Sequence, residues 1–514
     1  MQKILNLLAA KAYKEAHSVC IDMIKKDPVD PRPFCGLAQI ALDHDNLPKA
    51  LELFEKAQSY GGQAPFYKAE YAKALSIVGR KDDAMRIIDT IELGDVTQSY
   101  TADRIGVIYN RAGFHEKAIV FFEKAADLDS QNGNLQYNLA ASLQFQGKFE
   151  RAEAHYKRAV ELDPNHFRAR ASLASLKKQT AEDNNLATLI SEFDRLKTRS
   201  GAALNLGHAI AKTLEDMGEY EESLTWLHKA KQLKCQEVEY NIDTDLAFFR
   251  AAKGSEVSAS DSADKSQAAP IFIVGLPRTG TTLVDRIISS HSDVISAGEL
   301  GTFSELIKRR MGSGSHYVLD APTFKAARHK SITQTGYDYI KSTQKLVQDA
   351  PRFTDKMPLN FFNCGLIHRT FPNARIVALR RGAMDSCLSN YRQLFATEFS
   401  YYAYSLRLED IAKYYRAFDD LMAYWRQHLP EDRFMEIHYE DIVQDQVVQT
   451  RRLLEFCDLT WQENCLRFHE NHAPVATASS VQVRRPLYSG SIGRWRRYGD
   501  KLEGLKQALG DLAS

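Results

Sequence analysis

A 34-residue period runs through the first third of this 514-residue chain, and no other feature narrows its fold as far. Ala16, Ala50, Ala84, Ala118 and Ala152 stand 34 residues apart. Twelve residues before the last four come Ala38, Ala72, Gly106 and Ala140, all small. Gly79, Gly113 and Gly147 lie five residues before three of the alanines, and Cys20, Phe54, Ile88, Phe122 and Tyr156 lie four residues after. Pro28 and Pro164 follow the first and last alanine by twelve. Small residues let two helices approach closely, glycine makes the turn between them, the bulky residue fills the groove, and proline cannot continue a helix. Each period is therefore expected to be a helix–turn–helix unit that buries its apolar face on its neighbours.

These offsets resemble the tetratricopeptide repeat family, clearest over residues 1–179. The pattern is irregular over 180–251, where a further unit is expected around Gly218, Ser223, Leu227 and Ala230, with Ala211 as its small partner. An all-α solenoid over 1–251 implies a groove for a protein or peptide partner; a structural scaffold and a homodimerisation arm are the alternatives.

Residues 252–269 hold five serines, several charges and, among large apolar residues, only Val257, which reads as a flexible linker. Beyond it the pattern changes. Ile271–Val274 and Arg375–Leu379 are apolar, β-rich runs with helical stretches between and after them, around Thr282–Ser290 and Tyr404–His428. That alternation predicts an α/β domain over 270–514, P-loop-like, with a central parallel sheet and helices on both faces.

Lys+Arg 67 against Asp+Glu 66 gives a net charge of +1, which argues against a dedicated nucleic-acid binder. Seven dispersed cysteines without a C-x-x-C pair read as reduced thiols. The apolar stretch Ile4–Ala10 is short for a signal-peptide core and no run is long enough for a membrane span, so a cytoplasmic protein is the expectation.

Directly after the first predicted strand stands Gly275-Leu276-Pro277-Arg278-Thr279-Gly280-Thr281-Thr282, leading into a helix. Strand, glycine turn and helix aim backbone N–H groups and a helix dipole at a phosphate. The G-x-x-x-x-G spacing matches a Walker A loop, but Thr281 stands where the lysine should be. That lysine serves the β- and γ-phosphates of a nucleoside triphosphate; here Arg278 supplies the cation.

The string P-R-T-G-T-T in this setting resembles the sulfotransferase family, whose donor is 3′-phosphoadenosine 5′-phosphosulfate (PAPS) and whose spent product is PAP. The resemblance implies that Arg278, Thr279, Gly280, Thr281 and Thr282 cradle the phosphosulfate, and that Arg381 and Ser389 hold the 3′-phosphate. Within the family the chain is most similar to the branch that includes protein-tyrosine sulfotransferases. His291-Ser292-Asp293-Val294 followed by Ala297-Gly298-Glu299 matches the segment carrying that branch's catalytic base, here Glu299. Thr354-Asp355-Lys356-Met357-Pro358 matches the stretch with its catalytic lysine, here Lys356, although Met357 replaces an aspartate. His438-Tyr439-Glu440-Asp441 makes Tyr439 a donor contact by the same resemblance. In the C-terminal stretch from Ala478 to Trp495, Ser479 falls on a catalytic serine, while Ser480, Arg485 and Arg494 fall on donor contacts.

The implied chemistry moves a sulfuryl group from PAPS to an acceptor hydroxyl of a protein tyrosine, a saccharide, a lipid or a small molecule. Arg278, Lys356 and Ser479 would steady the leaving oxygen, and no metal is expected. In keeping with that, the sequence shows no clear strand-end aspartate of Walker B type. A P-loop nucleotide kinase or NTPase, and a non-catalytic repeat-based adaptor, are the competing readings.

Overall fold

The computed structural model describes the chain except residues 62–63, 79, 258–267, 314–318, 349, 397–399, 476–480 and 514. The chain divides into two compact units, Met1–Gln144 with Glu150–Asp163, and Phe145–Phe149 with Pro164–Ser514.

The first unit is a run of antiparallel helix pairs, among them Pro31–Asp43 with Leu47–Gly61 and Ser99–Arg111 with His115–Leu128. The periodic alanines are all buried, as expected of residues chosen for close helix approach. Gly106 stands where the neighbouring repeats have alanine because a Cβ there would lie 2.8 Å from the Phe122 ring. Gly113 takes φ +87°, the left-handed turn that a side chain resists. Hydrogen bonds at the repeat period tie successive units. Lys73 Nζ donates to Gln39 Oε1 (3.4 Å), and Arg104 Nε to Glu70 Oε1 (3.1 Å), each across 34 residues.

In the second unit the irregular stretch folds into the helices Phe167–Leu176, Leu186–Leu196, Ser200–Met217, Tyr220–Glu237 and Ile242–Ala252. The unit predicted around Gly218 is the pair Ser200–Met217 and Tyr220–Glu237. Gly218 turns at φ +94°, and Ser223 Oγ donates to Ala211 O at 2.6 Å. A Cβ on Gly207 would come within 2.5 Å of Ala230 Cβ, which shows how tightly the pair is packed.

Five parallel strands follow: β1 (Ile271–Gly275), β2 (Val294–Ser296), β3 (Arg352–Asp355), β4 (Arg375–Arg380) and β5 (Phe434–His438), in the order β2-β3-β1-β4-β5. β1 is buried along its whole length, as a central strand covered on both faces must be. Its side chains alternate between two cores. Phe272 and Val274 join one with the aromatic cluster of Phe303, Tyr339 and Phe371; Ile271 and Ile273 join the other with Val284, Ile437 and Leu453. The last helix predicted from sequence begins at Leu408, not Tyr404; Ser400–Leu406 is a tighter 3₁₀ segment before it.

Composition places a boundary at the serine-rich stretch, whereas packing joins residues 164–252 to the sheet domain. Phe249 lies 4.7 Å from the Phe362 ring centroid, stacks on Phe361 at 5.8 Å and meets Tyr414 edge-on at 4.9 Å. The chain beyond that helix stays pinned: Gly254 N–H donates to Tyr424 Oη (3.0 Å), and Arg369 Nη1 to Ser255 O (3.1 Å). The remainder of the predicted linker, 258–267, lies outside the described residues. All seven cysteines are free. Among the described residues no helix is long and apolar enough to cross a membrane.

Phe249→Ala is expected to lower the stability of the sheet-containing unit by about 3–5 kcal/mol, the usual range for a buried phenylalanine. Urea denaturation followed by tryptophan fluorescence would measure it.

Candidate active site

In the order β2-β3-β1-β4-β5, the chain runs to one side of β1 for β2 and β3 and crosses to the other for β4. The crevice beyond the carboxyl ends of β1 and β4 is the place where such sheets bind ligands. The predicted loop leaves β1 there. Gly275 (φ +147°) has no room for a side chain, since a Cβ would sit 2.7 Å from Leu379 O on β4. Arg278 holds φ +69°, unusual for a residue with a Cβ, and Gly280 turns at φ +112° against the ring of Tyr439. Neighbours fix this backbone: Asn390 Nδ2 donates to Pro277 O (2.9 Å), and Thr279 Oγ1 to Leu276 O (2.7 Å). Thr279 is thus spent on the turn itself. Thr281 and Thr282 open the Thr281–Ser289 helix.

A cavity of about 470 Å³ opens in front of the loop, a size suited to a small ligand or cofactor. Of the residues singled out from sequence, Arg278, Gly280, Thr281, Thr282, Glu299, Arg381, Ser389, Tyr439, Arg485 and Arg494 line it. Ser479 and Ser480 lie outside the described residues.

Arginines dominate the wall. Arg381, just past the end of β4, is buried; it donates to Arg278 O (3.1 Å) and Ser491 O (2.6 Å) and packs 5.0 Å from the Tyr439 ring centroid. Tyr439 Oη and Ser491 Oγ share a hydrogen bond of 2.6 Å. Ser389 faces the same cavity from the Ala383–Arg392 helix. Burial, then the charges of Arg392 and Arg381, push the Arg278 guanidinium down to about 10. A cation held among cations in this way is stabilised by any anion that joins it.

Arg392 escaped the sequence reading because it occupies the last turn of a helix with no motif around it. Its Nη2 pairs with Glu215 Oε2, and Arg494 Nη2 pairs with Glu215 Oε1 at 2.5 Å. Glu215, 3% exposed in its side chain, comes from the Ser200–Met217 helix, 177 residues before Arg392. No local signal announces such a partner. Asp385, also missed, accepts from Gly493 N (2.6 Å) and Trp495 N (3.1 Å) and so holds the C-terminal loop bearing Arg494.

On the β3 side, Lys356 is buried and donates to Glu299 Oε1, while the Glu299 side chain keeps 34% exposure toward the cavity. The backbone builds this pair: Ala297 N donates to Thr354 O (2.8 Å) and Lys356 N to Gly298 O (2.9 Å), running the segment after β2 alongside β3. Asp355 ends β3 beside β1, a strand-end aspartate that its residue pattern did not single out. Its Oδ2 accepts from Tyr339 Oη (2.7 Å) and its Oδ1 from Leu300 N (3.4 Å). Burial raises it to about 7, so it serves as an internal hydrogen-bonding group. Among the described residues no His, Cys, Asp and Glu cluster is arranged to hold a metal.

Residues 270–463 match the model of the sulfotransferase family, and residues 102–132 and 134–166 each match a tetratricopeptide repeat. The chain joins tetratricopeptide repeats to a sulfotransferase domain. It is 27% identical over 519 aligned residues to an uncharacterized protein of Aquifex aeolicus, covering 96% of this chain and 67% of that protein. It is 27% identical over 244 residues to a protein-tyrosine sulfotransferase of Drosophila melanogaster and 22% identical over 244 residues to protein-tyrosine sulfotransferase A of Caenorhabditis elegans. Each alignment takes in 44% of this chain; they span 46% and 60% of those relatives. Among solved structures, the sulfotransferase domain of the Synechococcus PCC 7002 olefin synthase aligns at 18% identity and TM-score 0.35, over 46% of this chain and 90% of that one.

Two outcomes follow for the sulfotransferase domain. Glu215→Gln strips the half-buried Arg392 and Arg494 of their buried counter-charge and is expected to cost about 3 kcal/mol in urea denaturation. Stability is also expected to fall between about pH 4 and pH 7: Asp355 keeps its proton in the folded state up to about 7, against an ordinary value of 3.8, so rising pH favours the unfolded chain. Asp355→Asn would flatten that slope in thermal melts across the same range.

Proposed function

We propose that the chain transfers the sulfuryl group of PAPS to an acceptor hydroxyl. The observation that carries this reading is the arginine-lined cavity at the mouth of a glycine turn that lacks the Walker lysine. Its residues fit a nucleotide with an anion at each end. Arg278, Gly280, Thr281 and Thr282 stand where one end would lie, and Arg381 with Ser389 flank the position for the other. Among the described residues Arg381 Nε and Arg494 Nε have no hydrogen-bond partner, which leaves both available to donate to a ligand. When bound, PAPS supplies the activated sulfuryl group.

The protein's own task is to position, to stabilise developing charge and to manage one proton. Glu299 faces the cavity as the carboxylate that takes the acceptor hydroxyl's proton. Lys356, bonded to Glu299, orients that carboxylate and brings positive charge close to the reacting centre. Arg278 and Arg392 offset the negative charge that gathers on the leaving oxygen. Ser479 is assigned the same role by family resemblance alone. The acceptor is read as the hydroxyl of a protein tyrosine, from the similarity to protein-tyrosine sulfotransferases. The repeats are read as the means of recruiting a protein or peptide partner.

The nucleotide-kinase reading is disfavoured by two positions. Thr281 replaces the phosphate-gripping lysine, and Asp355 is turned to Tyr339 and biased toward its neutral form.

The test is transfer from ³⁵S-labelled PAPS to tyrosine peptides, glycans and lipids. Glu299→Gln is expected to lower kcat by roughly 10²–10⁴-fold with PAP affinity retained. Arg381→Ala is expected to weaken PAP while leaving adenosine 5′-phosphate little changed. Absence of PAP binding to the folded protein would refute the donor assignment.

A further inference from the structure

A buried carboxyl group stands one helical turn beyond the phosphate loop. Asp285 follows Thr281 by four residues in the Thr281–Ser289 helix. Burying such a group is costly unless its oxygens are hydrogen-bonded, and both of these are. Thr354 Oγ1 donates to Asp285 Oδ1 at 2.5 Å, and Ser296 Oγ donates to Oδ2 at 2.9 Å. Ser296 is the last residue of β2 and lies three before Glu299; Thr354 is the last but one of β3 and lies two before Lys356. One side chain thus joins the helix behind the phosphate loop to the two strand ends that carry the Glu299–Lys356 pair.

From there the bonds run on to the pair itself. Ser296 Oγ accepts from Gly298 N (3.3 Å), and Gly298, turning at φ +76°, is the residue before Glu299. Gly298 O in turn accepts from Lys356 N at 2.9 Å. Ser296 Oγ takes a hydrogen from Gly298 and gives its own to Asp285, so the chain of bonds has a direction and ends on a group that accepts at both oxygens. A carboxylate does this; an amide at position 285 has to offer an N–H to one of the two hydroxyls. Lys356 acts on Asp285 through its charge as well. Burial pushes the Asp285 carboxyl up, and the Lys356 charge leads the influences that pull it back, ahead of the Thr354 and Ser296 hydrogen bonds. Among the described residues the other charged groups that act on it or respond to it are Arg286, on the same helix, and Asp355, at the end of β3.

We propose that Asp285 is a positioning residue for sulfuryl transfer, which locks the ends of β2 and β3 to the helix behind the phosphate loop and so sets Glu299 and Lys356 at a fixed place relative to the donor. Asp285 is not among the residues that line the cavity, so it works through that pair and not on the reactants. The role in transfer rests on the sulfotransferase reading, whereas the coupling of Asp285 to Glu299 stands on the hydrogen bonds alone. Misplacing the pair slows the chemical step and leaves the arginines that grip the nucleotide where they are.

The test uses the full chain and three substitutions that keep side-chain size nearly constant: Asp285→Asn, Thr354→Val and Thr354→Ser. In the transfer assay from labelled PAPS, Asp285→Asn and Thr354→Val are each expected to lower kcat per PAP-binding site by roughly tenfold to a hundredfold, with the KM for PAPS and the affinity for PAP unchanged. Thr354→Ser restores the hydroxyl and is expected to restore kcat. Ser296→Ala, which removes only a half-buried hydroxyl, serves should Asp285→Asn fail to fold, and is expected to lower kcat in the same way. A second arm needs no acceptor. In protein carrying carbon-13 at the glutamate side-chain carboxyl, the Glu299 signal is assigned by its loss in Glu299→Gln. At pH 7 that signal is expected to move in Asp285→Asn and Thr354→Val and to return to its wild-type position in Thr354→Ser. An unmoved Glu299 signal, a kcat equal to wild type, PAP affinity falling in step with kcat, or Thr354→Ser as impaired as Thr354→Val would each overturn the proposal. Failure of the wild-type protein to transfer from PAPS while the signal still moves as expected would sink the sulfotransferase reading instead, leaving the coupling of Asp285 to Glu299 in place.

Discussion

The crowding of arginine head groups at the carboxyl ends of β1 and β4 is the constraint around which the sulfotransferase domain is arranged. Arg278, Arg381, Arg392 and Arg494 line one cavity, and cations brought together in a partly desolvated place repel strongly unless something offsets them. Glu215 offsets two of them, Arg392 and Arg494, from a helix of the repeat-like region. Backbone carbonyls of Arg278 and Ser491 engage Arg381. Arg278 Nη2 donates to Gln482 Oε1 (2.9 Å), and burial with the charges of Arg392 and Arg381 lowers its guanidinium to about 10, so an anion joining it is stabilised. Arginines and carboxylate are thus two parts of one charge balance.

That balance explains why the irregular helices cannot be treated as an appendage. Glu215 pairs with Arg392 and Arg494, Lys231 bonds to the Ser405 carbonyl, and His228 meets Tyr391 Oη at 2.6 Å. Through Tyr391 and Arg392 these helices hold the end of the Ala383–Arg392 helix that carries Ser389. Loss of strict repeat spacing over 180–251 goes together with a new duty, since faces that would pack on another repeat pack on a sheet domain instead.

Much of the candidate site was legible because it is local. Gly275 through Thr282 announce a phosphate loop, since a turn of that shape permits few residues, and Glu299 and Lys356 could be placed by resemblance. Their contact could not, because it depends on the segment after β2 pairing with the end of β3. Arg392, Asp385 and Glu215 carry no motif. Each became visible only when a carboxylate and its partners, 108 to 279 residues apart in the chain, were brought within hydrogen-bonding distance. Asp355 shows the reverse: a strand-end aspartate went unnoticed in sequence, and its partner Tyr339 explains why it is no metal-facing group.

By itself the sequence determined periodicity, the strand–turn–helix and the residues of its glycine turn, because those depend on spacing along the chain and on which side chains a backbone turn tolerates. Tertiary structure alone decided where the compact units divide, which carboxylate answers which arginine, and that a helix of the repeat-like region pairs its Glu215 with arginines of the cavity. Those outcomes depend on distances through space between residues far apart in the chain, where burial makes charge and hydrogen bonding count most.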